Sequence, residues 1–242
     1  MTDPIINYDY FLKFKNGETF EKKVSLNKHS GELISKTSAP IEHEEIAKLE
    51  NHQCENCPYS SEDFKNCPVF ENILPVLTLF KSHESTEEVE AMVRDRNRTY
   101  HKRTPLSVAL ASLVGLIMAT SECEHFDFLK PMAKTHLPFS DAEETLIRSV
   151  GFYLMDRYLC GSSEVASLKD LKKSYDQLSV VNQGILERIK DLKGEMKPDS
   201  SESLHILESF IQMFEVEYEI NLEDLKTYFH KSDNFFDFEI DD

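Results

Sequence analysis

The chain has 242 residues, of which 40% are hydrophobic and 29% are charged; both values are ordinary for a soluble globular protein with a hydrophobic core. It carries 27 Lys and Arg against 44 Asp and Glu, a formal net charge of −17, which repels nucleic acid and anionic membranes at long range. We therefore expect neither a nucleic-acid partner nor a membrane partner.

The N-terminal segment predicts a β-hairpin, because apolar residues alternate with polar ones on both sides of a turn that contains Gly17. The two apolar sets face the same side only if the loop has three residues. We therefore expect Gly17 in the left-handed conformation, with Leu12 opposite Phe20 and Tyr8 opposite Val24.

Three further elements are predicted before the middle of the chain. A third strand is expected at Glu32–Thr37, and a helix at Glu42–Gln53. A second helix is expected at Val69–Lys81, where Pro75 marks a kink or a new start. Alternation of apolar and charged residues at 89–93 predicts a half-buried strand, which either continues or turns back through Arg98–Lys102.

Two helices are predicted in the centre of the chain. The apolar run 105–120 is shorter than the roughly 20 residues that cross a bilayer, so we interpret it as a buried core helix. Ser140 or Asp141 can cap a second helix, 141–160, with acidic residues in its first turn.

The last third of the chain predicts a helical hairpin, 161–231. Apolar residues at three- and four-residue spacing predict one amphipathic helix at 164–192, and a second apolar series begins at Leu204. With residues 1–160 as the first domain, the fold class is α+β: a small antiparallel sheet at the N-terminus, a central buried helix and a C-terminal helical hairpin. The tail, 232–242, interleaves aromatic and acidic residues. It either docks on a protein partner or packs on its own chain.

Four of the five cysteines suggest a metal site. Cys54 and Cys57 form a Cys-x2-Cys knuckle of the type that binds Zn²⁺, and Cys67 follows closely enough to supply a third thiolate. The fourth ligand is left open among Cys123, His136, His125 and His52. The N-terminus lacks the features of a secretory signal, so we expect a reducing cytoplasm rather than disulfides.

Other interpretations of the cysteines remain open. Cysteine followed by proline, as at Cys57 and Cys67, also occurs in iron–sulfur ligand loops. The knuckle could be a redox pair, or the thiols could be buried without a metal, which is the interpretation that suits Cys160. A nucleophilic Cys123 is disfavoured, because the negative end of the preceding helix raises the pKa of a thiol.

A basic stretch from Arg94 to Arg103 stands out in this acidic chain. If it is one strand, four basic residues share a face that could bind a phosphate or carboxylate: Arg94, Arg96, Arg98 and Lys102. The alternative is that the same face is solvated or paired with acidic runs elsewhere in the chain.

One pattern resembles a known family. Met118-Ala119-Thr120-Ser121-x-Cys123 is followed by residues 128–139, Phe-Leu-Lys-Pro-Met-Ala-x-x-His-Leu-Pro-Phe, with the cysteine–proline pairs upstream. Together they resemble an uncharacterised family of bacterial proteins of unknown function. That family has proline after the fourth cysteine, where this chain has Glu124. The resemblance implies a bacterial, cytosolic protein and no particular reaction.

The sequence favours a non-enzymatic cytoplasmic binding or regulatory module stabilised by a structural metal, zinc rather than an iron–sulfur cluster. One alternative is an enzyme or sensor that binds a small anion between Ser121–His136 and Arg94–Arg98. Another is a helical adaptor that acts through residues 164–192.

Overall fold

A four-stranded antiparallel sheet forms one layer of the protein in the computed structural model, which describes residues 4–34, 43–80, 83–162 and 167–195. The strand order is β2-β1-β3-β4. The strands are β1 (Ile5–Phe14), β2 (Thr19–Asn27), β3 (Glu88–Arg94) and β4 (Thr99–Pro105). Together with the helices, this sheet confirms the predicted α+β fold class.

The hairpin between β1 and β2 has the predicted register. Tyr8 pairs with Val24 and Leu12 pairs with Phe20. Gly17 has a φ of 88°, in the left-handed region, as a three-residue loop of this kind requires. The alternation of the sequence therefore places one side chain of every two in the core.

Six α-helices and one 3-10 helix accompany the sheet in the described ranges. The helices are α1 (Glu44–Ala47), α2 (Phe70–Leu79), α3 (Leu106–Ala119), α4 (Lys130–Ala133), α5 (Ala142–Leu159) and α6 (Lys169–Glu195), and the 3-10 helix is Glu124–Leu129. Nine of the 14 residues of α3 are buried, which confirms the predicted central core helix.

Two predicted elements are shorter than expected. The predicted helix Glu42–Gln53 is limited to α1, because Lys48 turns to an extended conformation (ψ 141°) and bridges Asn66 across the cysteine loop. In place of the third strand, Leu33 forms one isolated bridge to Leu26; residues 35–37 lie outside the described residues.

Two helices follow the sequence prediction closely. α2 contains Pro75, as predicted. At the start of α5, the Asp141 side chain accepts the Glu144 N–H (2.8 Å), and the Glu144 side chain accepts the Asp141 N–H (3.1 Å). This reciprocal pair is a capping box.

The apolar stripe of α6 packs inside the protein. Leu171, Leu178 and Ile185 are all buried, and Leu178 and Ile185 belong to the same hydrophobic cluster as the sheet. An adaptor acting through this stripe would need it exposed, so that alternative is not carried further. The second helix of the predicted hairpin and the acidic tail lie outside the described residues.

No single helix among the described residues is long and apolar enough to cross a membrane. α3 and Glu124–Ala133 meet the length and hydropathy requirement only together, and this pair is bent by 116°.

Candidate functional site: a cysteine cluster

Four cysteines from three segments come together beside the core. Cys54 and Cys57 lie in the loop after α1, Cys67 lies shortly before α2, and Cys123 follows α3. The first three thiols are all close enough to Cys123 to raise its pKa. All four are free thiols. Cys123, one of the residues predicted as fourth ligand, thus lies near the other three thiols.

The thiols influence one another electrostatically. The pKa of Cys123 is raised to about 12, mainly by burial and to a smaller extent by the other three thiols, whereas the backbone N–H of His125 lowers it. Burial, followed by Cys67, raises the pKa of Cys54. Like charges in a shared low-dielectric site oppose each other's ionisation. A cation between the sulfurs would reverse this effect.

Backbone pairing closes the loop that carries the first three cysteines. The Cys67 N–H donates to the Ala47 carbonyl (2.8 Å), and the Leu49 N–H donates to the Lys65 carbonyl (3.0 Å). At the knuckle, the Cys57 N–H donates to the Cys54 carbonyl (3.0 Å). The short α1 thus ends where this pairing begins. The pairing brings Lys65 and Cys67, at the end of the loop, next to Ala47 and Leu49 at its start.

Tyr59 ties this loop to the segment of Cys123. Its hydroxyl donates to the Glu122 carbonyl (2.8 Å) and accepts the Glu124 N–H (3.1 Å). These two residues flank Cys123, so a single side chain connects the loop of the knuckle to the segment of the fourth cysteine.

The three histidines proposed as alternative ligands are engaged elsewhere. Nε2 of His52 lies 2.8 Å from a carboxylate oxygen of Asp191. Nε2 of His125 lies 2.9 Å from the Asn56 carbonyl. His136 contacts Tyr10 in the core, as described below. The sequence could not separate these residues from Cys123, because their contacts join segments far apart in the chain.

The cluster does not have the geometry of a preformed metal site. In the described ranges, no three Cys, His, Asp or Glu side chains are arranged to hold a metal ion. The four thiols influence one another electrostatically, but they are not arranged around a common centre.

Cys160 differs from the other cysteines. It lies at the C-terminal end of α5 and is exposed. The expectation that it is a buried thiol was wrong, because α5 buries few of its residues against the core, namely Ser149 and Val150.

Arg188 is a buried residue near the cluster that sequence analysis missed. It is 1% exposed, and its guanidinium donates to the carbonyls of Gly184 and Leu49, each at 3.2 Å. Burial is the largest effect and raises the pKa of the Cys54 thiol, whereas the positive charge of Arg188 lowers it. The guanidinium lies over the ring of Phe70, with 5.9 Å to the ring centroid. A buried cation therefore adjoins the cluster.

Gly184 is the point where α6 approaches the knuckle. A Cβ at this position would lie 2.8 Å from the Cys54 sulfur and 3.0 Å from the His52 carbonyl oxygen. The spacing in the sequence already indicates both residues. Gly184 comes three residues after Val181 and Arg188 four residues after Gly184, so all three share a side of the helix that is otherwise apolar.

The basic stretch folds into a hairpin instead of one strand. The Asp95 side chain accepts the N–H groups of Asn97 and Arg98, both at 2.6 Å, and such a turn reverses the chain. Strand β3 has already ended, and β4 begins at residue 99. The expectation that Arg94, Arg96, Arg98 and Lys102 share one face was therefore wrong.

The two ends of that stretch lie on opposite faces of the sheet. Lys102 pairs with the buried Ala91 and donates to the Phe139 carbonyl (3.4 Å). Arg94 lies on the other face, with 5.7 Å from its guanidinium to the ring centroid of Phe11. An anion could not contact both side chains at once.

The cleft that the structure shows is not in the place expected for an enzyme or sensor. A cleft of about 280 Å³ is lined by residues of β1, β3 and β4, including Lys13, Glu88 and Arg103. It contains no residue of Ser121–His136 or Arg94–Arg98. Nothing in the described geometry therefore favours that alternative.

Comparisons with known proteins give one match. A family model described as a domain of unknown function (DUF6901) matches residues 6–230. No curated protein and no solved structure matches the chain.

Proposed function

As a member of this family of unknown function, the chain must be interpreted from its own residues, and we propose that it is a non-enzymatic binding or regulatory module whose cysteine cluster takes up a structural metal ion. The observation that carries this proposal is the convergence of four free thiols from three segments. Zinc suits four thiolates at a Cys-x2-Cys knuckle. An iron–sulfur cluster is the less favoured occupant.

A metal would join parts of the chain that are far apart in sequence. The knuckle and Cys67 belong to one loop, whereas Cys123 follows the central helix. Because the unfolded chain holds no such site, the free energy of metal binding adds to the free energy of unfolding. The site would stabilise the fold without an open coordination position for a reaction. Thiols remain available in a reducing compartment, so we place the function in the cytoplasm.

The test is metal analysis of the purified protein with two cysteine variants. We expect about one zinc per chain in the wild type, loss of zinc in Cys67→Ser, and retention in Cys160→Ser, since Cys160 is exposed and outside the cluster. At a free metal concentration 1,000 times the Kd, binding contributes about 4 kcal/mol, which raises the Tm by roughly 10 °C for a chain of this size.

Three outcomes bear on the proposal. If the purified protein is brown and has the absorption of an iron–sulfur cluster, the same cysteines hold such a cluster instead of zinc. Metal-free protein with the same Tm before and after zinc addition would overturn the metal site. Equal loss of zinc in both cysteine variants would also contradict it, because the ion would then not depend on the cluster.

A further inference from the structure

One edge of the sheet is unpaired in the described part of the chain. The strand order is β2-β1-β3-β4, so β2 and β4 are the two edge strands. The edge of β2 is partly covered, because the Ile34 N–H donates to the Ser25 carbonyl (2.8 Å). None of the described segments pairs with the outer side of β4. An unpaired edge strand is a template on which another strand can add.

The pairing of β3 with β4 determines which backbone groups of β4 face outward. In an antiparallel pair, opposite residues alternate between hydrogen-bonded and non-bonded pairs. The Asp95 N–H donates to the Arg98 carbonyl (3.0 Å), and the Leu106 N–H at the far end of β4 donates in the same phase (2.7 Å). The residues of β4 that hydrogen bond to β3 are therefore Tyr100, Lys102 and Thr104. The residues whose N–H and carbonyl groups point away from the sheet are Thr99, His101 and Arg103.

The edge strand is basic, although the chain as a whole is acidic. From residue 95 to residue 105 there are four Arg or Lys residues and one Asp. One carboxylate, that of Glu88, is shared by two cations, since it lies 2.8 Å from the Lys15 amine and 3.6 Å from Nε of Arg103. The edge therefore keeps an excess of positive charge, which favours an acidic occupant.

The tail of the chain, residues 233–242, has a pattern that matches this edge. It contains five acidic residues and no basic one, and from Phe236 onward apolar and acidic residues alternate, which is typical of a strand with one apolar side. Thr104 of β4 is buried, so the alternate residues His101 and Arg103 lie on the outer face of the sheet. When the acidic side of the tail faces the same way, its carboxylates meet these two side chains.

We propose that the edge of β4 is a strand-docking site and that the chain's own tail occupies it as a fifth strand. In this mode of binding, backbone hydrogen bonds supply affinity and alternate side chains supply specificity. The occupied edge is closed to other proteins, so a partner with an acidic, aromatic segment gains access only by displacing the tail. The proposal does not depend on the metal site.

Chain length and charge favour the tail over a second copy of the protein. Residues 196–232 connect α6 to the tail, and even at the helical rise of about 1.5 Å per residue they span roughly 55 Å. That span is about three times the radius of gyration expected for a chain of this length, ~18 Å. Pairing between two β4 strands would instead bring the same cations together, and like charges on adjacent strands are destabilising.

The experiment is backbone hydrogen exchange of the full chain, followed by NMR at single amides. The amides of His101 and Arg103 should exchange at least about 10-fold faster in Phe238→Ser than in wild type, because burial of a phenylalanine changes an equilibrium by at least that factor. Phe235→Ser is the matched control, since Phe235 belongs to the acidic side of the tail, and it should stay within about twofold of wild type. The amide of Tyr100, which is bonded to β3, should remain protected in every variant and shows that the sheet is intact.

A charge reversal provides a second test. Arg103→Glu should also accelerate exchange at the amides of Thr99 and His101, because it places a carboxylate beside the acidic side of the tail. Lys28→Glu makes the same change at an exposed position after β2 and should leave these amides unchanged. Equal effects of the two reversals would contradict attraction between the tail and this edge.

Three further results would overturn the proposal. If the edge amides exchange equally fast in wild type and in Phe238→Ser, the tail does not cover them. If their protection rises with protein concentration, the occupant is the tail of a second copy. If protection appears only after addition of a synthetic peptide of residues 233–242, the edge accepts such a strand but not from its own chain. None of these results affects the proposed metal site, which is tested by metal analysis.

Discussion

The hydroxyl of Tyr10 lies 2.7 Å from Nε2 of His136, which joins the middle strand β1 to the loop after α4. The same hydroxyl also donates to the backbone carbonyl of Ser112 (3.2 Å). The N–H of His136 donates to the hydroxyl of Tyr8 (2.9 Å). This network couples the sheet, the central helix and the segment 130–139 through polar groups inside the core.

Tyr10→Phe removes this hydroxyl and keeps the ring. We expect the free energy of unfolding to fall by about 1–3 kcal/mol, because polar partners in the core are left unsatisfied. Urea denaturation measures the change. Tyr158→Phe is the matched control, since Tyr158 is 73% exposed, and it should alter stability by less than about 0.5 kcal/mol. Equal losses in the two variants would contradict a role for the network.

His136 makes stability depend on pH. Burial lowers its pKa from 6.5 to about 3, with a further lowering by Arg148. Between these values the unfolded chain binds a proton that the folded chain does not bind. The stabilising contribution is therefore complete above about pH 6.5 and decreases as the pH falls toward 3, by up to about 1.4 kcal/mol per pH unit.

The measurement is the free energy of unfolding at pH 7 and pH 5.5 for wild type and His136→Asn. The wild type should lose roughly 1 kcal/mol more than the variant over this interval. His101→Gln, at an exposed position in β4, should retain the wild-type loss. The prediction is wrong if His136→Asn and wild type have parallel pH profiles.

Gly184→Ala should destabilise the protein, although alanine is the better helix former by about 1 kcal/mol. The new Cβ would lie 2.8 Å from the Cys54 sulfur and 3.0 Å from a backbone oxygen that cannot easily move. Overpacking of this kind costs about 1–3 kcal/mol. We also expect weaker Co²⁺ binding, because the helix is pushed away from the knuckle.

Gly115→Ala provides the control for this substitution. Gly115 lies inside α3, and a Cβ there meets nothing within 4 Å. Gly115→Ala should therefore raise the free energy of unfolding by about 0.5–1 kcal/mol, because alanine has the higher helix propensity. If thermal melts show that both alanine variants are more stable than wild type, the close contact of position 184 with the knuckle is contradicted.

Tyr59→Phe should weaken the attachment of the knuckle loop to the segment that contains Cys123. It removes the hydroxyl that bonds to both Glu122 and Glu124, and we expect a loss of about 1–2 kcal/mol. The thiol of Cys123 is buried, so the variant should also react faster with a thiol reagent at that position. Mass spectrometry of the labelled peptides, with Tyr158→Phe as the comparison, would show whether the increase is confined to Cys123.

Local patterns in the sequence were sufficient for several elements. Alternation around Gly17 predicts the register of β1 and β2, because one face must be buried and the turn permits few loop lengths. Asp141 followed by Glu144 predicts the start of α5, because both groups satisfy nearby backbone N–H donors. The Cys54–Cys57 knuckle likewise needs only neighbouring residues.

Other features depended on contacts between segments that are distant in sequence. The contact between His136 and Tyr10 in the core is one of them, since it joins residues from distant parts of the chain. The turn at Asp95 separates basic residues that a single strand would have aligned. The exposure of Cys160 reflects a helix end with few core contacts.

The sequence alone thus determined the α+β class, the hairpin register and three neighbouring cysteines, because periodicity, capping and turn chemistry act over a few residues. The tertiary structure decided which fourth cysteine joins them and that Arg188 is buried beside Cys54. An arginine in a helix looks the same in sequence whether it faces water or the interior. Packing of α6 against the cysteine loop is what removes this one from water.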